Sequence, residues 1–296
     1  MQTDITASIH LGKRSDTSEK YDNSLLVAVP RGENRMLYNI DENNLPFYGC
    51  DVWHCYEFSV MLKNGYPITR LLKLKYSAKS PFIIESKSLK LYLNSFNMTR
   101  IGFNEDECLK ICKKMIEDDL SNILKTEVFA EFFNDEKSFD KIAKNYVELK
   151  DFADTDNIEI QDFKENPKLL QSEKSSEKEY RLKFSSLRSN CRVTHQPDFG
   201  DLFIYYKSVI HIKEESLIKY LVSFRKEYHF HEECAEMIFK RVYDLLDKDD
   251  ELCVCAMYTR RGGIDINPLR YSKNCSINDF SALSDLNTLT KGGIKQ

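Results

Sequence analysis

The chain has 296 residues, 42% of them hydrophobic, with 43 basic against 47 acidic side chains and a net charge of −4. That length supports two domains of roughly 100–150 residues or one larger one, and the near balance of charge excludes a global field that would draw in nucleic acid or an anionic membrane. No apolar run approaches the roughly 20 residues of a membrane span, and MQTDITASIHLGKRS at the N-terminus lacks the apolar centre of a signal peptide, so a cytoplasmic protein is expected.

In chain order, the first clear element is YEFSVMLKNGYPITRLLKLKY (56–76). Its two alternating runs flank Asn64-Gly65, which supplies the positive φ of a tight turn, and predict a long β-hairpin. In ESKSLKLYLNSF (85–96) both alternation and a helical stripe fit, and periodicity leaves the two open. From about Glu105 to Val128, apolar residues at helical spacing (Cys108, Ile111, Cys112, Met115) follow the acidic turn Glu105-Asp106-Glu107 and predict an amphipathic helix. Residues 151–180 turn polar and read as a linker between modules at 1–150 and 181–296.

An internal repeat crosses that linker. SLKLYLNSF from Ser88 matches SLIKYLVSF from Ser216, and after one residue of slippage Phe103-Asn104-Glu105-Asp106 meets Phe230-His231-Glu232-Glu233. Two copies of one module are implied, and the divergence of Asn104 from His231 predicts one composite site with divided labour.

The nine cysteines, an odd number, are scattered at 50, 55, 108, 112, 191, 234, 253, 255 and 275. They make a poor disulfide framework, so reduced thiols are expected, and none has the paired spacing of a structural zinc site, so no metal is expected. Cys191 lies between an alternating strand at 180–184 and the turn Gln196-Pro197-Asp198-Phe199-Gly200. A loop thiol there is either a nucleophile or a small packed residue. Asp198 is a proton donor or a turn cap, and His195 a base or a surface group. Glu85 and Glu232 each place a carboxylate beside oriented donors, which suits the amide-and-amino edge of a guanine-like ring, although Glu232 also suits an ordinary first helical turn. YTRRGG (258–263) pairs fixed charge with glycines, as a phosphate site or as a flexible basic loop. Neither a Rossmann fingerprint nor a P-loop is present.

Together, LLVAVPR (25–31), Asp51-Val52-Trp53, ESKSLKLYLNSFN, SNCRVTHQPDFG, SFRKEYHFHEEC, YTRRGGIDINP and Leu11-Gly12-Lys13 resemble the long, two-module form of NADPH-dependent 7-cyano-7-deazaguanine reductase, a nitrile reductase of queuosine biosynthesis. The resemblance implies an α+β fold of two tandem tunnelling-fold modules, antiparallel sheets with helices packed on one face. It implies Cys191 as the nucleophile that forms a covalent thioimide and Asp198 as the acid. It assigns the deazapurine substrate to Ile84, Glu85, Ser86, His231 and Glu232, and the cofactor NADPH to Ser86, Lys87, Arg261 and Gly262. It also implies a homodimer with no direct nucleic-acid contact and no membrane. Phe199 departs from the family, where tryptophan is frequent. Two rivals remain: a cysteine hydrolase or acyltransferase using Cys191 with His195, and a non-catalytic purine-binding module.

Overall fold

A computed structural model describes residues 20–293 and 296. The motif Leu11-Gly12-Lys13 and the rest of the N-terminal tract lie outside the described residues. The first half runs β1 (Ala28–Pro30), α1 (Gly32–Leu37), β2 (Phe47–Met61), β3 (Pro67–Ser77), β4 (Phe82–Ile84), α2 (Ser86–Asn94), α3 (Glu105–Leu124), β5 (Val128–Phe133), β6 (Phe139–Lys141) and β7 (Val147–Glu148). The second runs β8 (Ser172–Asn190), β9 (Pro197–Ile212), α4 (Glu214–Val222), α5 (His231–Tyr243), β10 (Glu251–Tyr258), β11 (Ile264–Ser272), α6 (Ser281–Ser284) and β12 (Leu289–Lys291).

The two halves repeat one order, a hairpin, then two helices, then a return to the sheet. The repeated sequence tracts fall on α2 and α4, both nine residues long. The main sheet has eight strands in the order β5-β3-β2-β11-β10-β9-β8-β7. All neighbours are antiparallel except β7 and β8. The halves join at the pairing of β11 with β2, in which Ile266 faces Trp53 across the ladder, so the sheets of the two halves are one sheet.

The predicted hairpin is β2–β3. Gly65 takes φ +90, and the Asn64 side chain accepts a hydrogen bond from the Tyr66 N–H at 2.9 Å. The undecided tract at 85–96 is helix α2. Its start is fixed by Glu85, whose carboxylate accepts from the Lys87 and Ser88 N–H groups at 3.0 and 2.6 Å and so caps two otherwise orphaned donors. Helix α3 ends at Leu124 rather than near Val128, because Lys125 turns left-handed and Val128 opens β5.

The linker expectation needs correction from Ser172 onward, since Ser172–Lys178 opens the long strand β8. These residues are exposed and pair only with β9, with a break in register between Lys174 and Lys178. A ribbon wet on both faces has no apolar alternation to betray it.

Helices α2 to α5 pack on one face of the sheet over two cores. One core is built on Trp53, Phe58, Leu89, Tyr92 and Ile116, the other on Ile204, Leu217, Phe224, Ile238 and Val254. The opposite face is covered around Phe203, Tyr205 and Met257 by Tyr146, Phe280 and Leu283. Each core is built mainly from one half and borrows from the other, Phe47 entering the second core and Ile264 and Ile266 the first, and the site forms where they meet.

Candidate active site

A cleft of about 260 Å³ opens at that junction. Its walls include Ile84, Glu85, Ser86 and Lys87 from the first half and Cys191, Asp198, His231, Glu232, Arg261 and Gly262 from the second. Every residue that the resemblance assigns to the site therefore lines one cavity, whereas His195 does not. The apolar floor is Trp53, Ile264 and Ile266, which share the helix-facing side of the central strands.

Cys191 follows the last residue of β8 and begins a tight turn. Its N–H donates to the Gln196 carbonyl and its carbonyl accepts from the His195 N–H, both at 2.9 Å, while the Thr194 N–H points at Sγ from 3.4 Å. His195 closes the turn in the left-handed region, φ 56, and its ring packs against Tyr228 with centroids 4.8 Å apart. It does not line the cleft, so its contribution is to the shape of the nucleophile turn. Asn190 anchors that turn to the segment before α5: its N–H donates to the Glu227 carbonyl at 2.8 Å, and its own carbonyl accepts from the His229 N–H at 3.1 Å.

Helix α5 begins at His231. Phe230 has no capping side chain, and the Glu233 carboxylate instead reaches back to accept from the Phe230 N–H at 2.9 Å. The His231 ring stacks on Tyr258 at 3.8 Å between centroids, which directs Nε2 to the Asp198 carboxylate at 3.3 Å. Arg261 donates to the other Asp198 oxygen through Nη1 and to Thr194 Oγ1 at 2.5 Å through Nη2. Burial works against the charge on Asp198, but the hydrogen bond and charge of His231, joined by the Arg261 guanidinium, outweigh it and hold the carboxyl below the usual aspartate range.

Glu232 is the opposite case. It is 1% exposed, and burial together with the negative charge of Asp51 pushes its carboxyl up to about 8, against the opposing pull of Arg31 and Arg270. Its Oε1, His231 Nδ1 and Trp53 Nε1 are all buried without a hydrogen-bond partner among the described residues. Groups of this kind are normally satisfied, so a cleft that contains three has donors and acceptors to offer a polar ligand. Behind Glu232, one turn further along α5, Glu236 accepts from Arg35 at 2.8 Å and Arg270 at 2.9 Å and pairs with Arg31 at 3.2 Å; Arg270 and Arg31 also hold Asp51. This buried cluster fixes the helix that carries Glu232 to the sheet and to the N-terminal segment.

The residues at the cleft edge fit an anionic dinucleotide. Lys87, Lys90 and Arg261 supply cations, and Gly262 at φ +60 lets backbone come close. Lys90 is steered there by Gly262 O at 2.6 Å and Glu57 at 3.1 Å. Sequence reasoning gave no role to Trp53, Lys90, Thr194, His229 or Phe230. All five fall inside motifs quoted for the resemblance, and Lys90, three residues beyond Lys87, could be placed beside it only once α2 was known to be a helix.

The family model described as nitrile reductase, 7-cyano-7-deazaguanine-reductase N-term matches residues 17–132, and the one described as QueF-like protein matches residues 197–276. A curated relative, the NADPH-dependent 7-cyano-7-deazaguanine reductase of Colwellia psychrerythraea (strain 34H), is 39% identical over 271 residues, 90% of this chain and 92% of its own. This chain belongs to the 7-cyano-7-deazaguanine reductase family. The two family models fall on the two halves that line the cleft. Among the described residues, no helix is long and apolar enough to cross a membrane.

Proposed function

We propose that this protein reduces the nitrile of 7-cyano-7-deazaguanine to the primary amine of 7-aminomethyl-7-deazaguanine at the expense of NADPH, as a step of tRNA queuosine biosynthesis. The observation that carries this reading is the meeting of Cys191 and Asp198 in one cleft with the Glu232 carboxylate from the second half and with Glu85, Ser86 and Lys87 from the first. The Cys191 sulfur adds to the nitrile carbon while Asp198 gives a proton to the nitrile nitrogen. The C≡N bond becomes C=N–H, a C–S bond forms, and the thiol proton leaves to solvent. When bound, NADPH supplies hydride to the resulting thioimide carbon and, after the thiol departs, a second equivalent to the imine.

Glu232, with an unpartnered oxygen, accepts N–H groups from the base edge, and His231 orients Asp198. The Glu85 carboxylate is already committed to the α2 N-cap, so Glu85 acts chiefly by setting Ser86 and Lys87 at the cleft. Lys87, Arg261 and Gly262 hold the cofactor phosphates. The chain works as two modules sharing one site, in the cytoplasm, as a homodimer that takes the free base and does not contact tRNA. The packing of His195 against Tyr228, outside the cleft, speaks against a cysteine hydrolase with a Cys191–His195 pair.

Mixing the protein with 7-cyano-7-deazaguanine without NADPH should give a covalent adduct, seen by intact mass and thioimide absorbance and lost in Cys191→Ala. Two NADPH should be consumed per amine formed. A correctly folded protein that never forms the adduct overturns the reading.

A further inference from the structure

Cys191 is bracketed by two ties to a single segment. We propose that Arg192, Glu233 and His229 form a positioning cluster that sets the nucleophile turn against the start of α5, so that the thiol meets a bound base at the right distance. The proposal rests on the reading of Cys191 as the nucleophile, and it gives a role to side chains that the chemistry itself does not use.

The residue before Cys191 is tied through its backbone, Asn190 exchanging hydrogen bonds with Glu227 and His229. The residue after it is tied through its side chain. The Arg192 guanidinium pairs with Glu233 Oε2 at 3.1 Å, lies over the Phe230 ring at 5.6 Å and reaches the Tyr228 carbonyl at 3.5 Å. All three partners belong to the segment that enters α5 and brings Phe230, His231 and Glu232 to the cleft. Glu233 is 2% exposed and gathers the contacts at one oxygen: Oε2 accepts from the Phe230 N–H at 2.9 Å and has Arg192 Nη2 at 3.1 Å and His229 Nδ1 at 3.4 Å. Its Oε1 is buried without a hydrogen-bond partner among the described residues, so the tie runs through Oε2. In the first half, Glu107 makes the corresponding bond to the Phe103 N–H while exposed. Capping the helix therefore does not by itself call for a buried carboxylate held by two cations.

His229 completes the cluster between two carboxylates, with Nε2 3.2 Å from Glu227 Oε2. The groups that face it are Glu227 from its own segment, Glu233 from α5, Arg192 from the nucleophile turn at 3.5 Å, and the Tyr38 ring, edge-on at 6.4 Å between centroids. Burial opposes its charge, but the hydrogen bonds to Glu227 and Glu233 outweigh it and raise the imidazole above the ordinary histidine value. A protonated ring donates to both carboxylates, whereas a neutral one donates to one. The cluster is therefore complete below the raised value and loosened above it. Because Glu233 balances the charge of Arg192, the effect on Cys191 runs through position. A guanidinium that activated the thiol by its charge would act more strongly once Glu233 was neutral. A positioning one acts less.

The test follows adduct formation from saturating 7-cyano-7-deazaguanine, without NADPH, in wild type, Arg192→Gln, Glu233→Gln and the double variant. Glutamine at 233 keeps an acceptor for the Phe230 N–H. Each single change should slow the adduct about tenfold and the double variant no further, because both remove one contact. In the Cys191→Ala background, Arg192→Gln should leave affinity for the base unchanged, since α5 stays fixed to the sheet through Glu236. The deficit of His229→Gln should be largest at acid pH and shrink as pH rises through the imidazole value, where wild type loses the same contact. Emission from Trp53, the single tryptophan of the chain, checks that each variant is folded. Should Glu233→Gln misfold, His229→Gln takes its place in the cycle with Arg192→Gln. Single variants that match wild type, a faster adduct in Glu233→Gln, losses that add in the double variant, a loss of affinity in place of rate, or a His229→Gln deficit constant with pH each overturn the proposal and leave the nucleophile standing. Absence of adduct in wild type overturns the nucleophile reading itself.

Discussion

The two halves begin their second helices in matching sequence and contrasting surroundings. At the start of α3, Asn104 caps the helix by accepting from the Glu107 N–H at 3.0 Å, and Glu107 returns a bond to the Phe103 N–H at 2.8 Å; all of these residues are exposed. At the start of α5 the corresponding positions, His231 and Glu232, are turned into the cleft, the helix begins one residue earlier, and buried polar atoms are left without partners. One turn on, Leu109 of α3 packs against its core, whereas Glu236 of α5 holds three arginines. An unpaired buried polar atom costs about 1–3 kcal/mol. The start of α3 therefore shows what this module does when only stability matters, and the start of α5 what it gives up to line a cleft.

The sharpest way to break the comparison is at Glu236. Glu236→Gln leaves buried arginine charge uncompensated and should destabilise the protein by about 3–5 kcal/mol in urea unfolding at pH 7. Glu105→Gln, which breaks an exposed pair with Arg70 at the start of α3, should cost under about 1 kcal/mol. Burial opposes the charge on Glu236, but Arg270, Arg35 and Arg31 overcome it and lower its carboxyl from 4.5 to about 2. A depressed carboxylate stabilises the fold above its unfolded value and loses that contribution as pH falls through the folded one. The gap between wild type and Glu236→Gln should therefore be full above pH 4.5 and narrow between 4.5 and 2. A gap that is constant with pH would mean that packing, not charge, joins α5 to the sheet.

That cluster also marks the limit of what sequence could tell. The hairpin, the α3 stripe and the doubled module were legible because each rests on local spacing or on identity between two tracts. The residues that meet in the cleft could be picked out through motifs that each sit within a few positions of one another. Arg31, Arg35, Asp51, Glu236 and Arg270 are far apart in the chain, and each alone reads as a surface charge; only the pairing of β2 with β11 and the docking of α1 and α5 bring them together. The strand at Ser172–Lys178 was missed for the converse reason. Its place in a sheet is set by β9, while its own side chains are those of a solvated segment.

A smaller effect sharpens the comparison at the site. The Glu232 carboxyl is raised to about 8 in the free protein, so at pH 7 most of it carries a proton. A base edge rich in N–H donors binds the ionised form. In the Cys191→Ala background, which removes the covalent step, binding of 7-cyano-7-deazaguanine at pH 7 should release close to one proton, measured by calorimetry in buffers of different ionisation enthalpy. Affinity should rise about tenfold per pH unit between pH 6 and 8 and level off above it. Glu232→Gln should abolish both the proton release and the slope. Proton uptake on binding would show that the neutral acid is the form that recognises the base.

The mildest effect belongs to the first half, and it decides whether that half has truly left the chemistry to its partner. Asn104→Ala removes an exposed N-cap and should lower stability by about 1 kcal/mol with adduct formation and NADPH consumption unchanged. His231→Ala should do the reverse. It removes a group between Tyr258 and Asp198, and so should slow adduct formation about a hundredfold while Asn104 still caps α3. If Asn104→Ala slowed the chemistry as well, the start of α3 would have to communicate with the cleft, and two routes lead there: the bond from the Lys63 N–H, just beyond β2, to the Gly102 carbonyl, and the core that Cys108 and Cys112 share with Trp53.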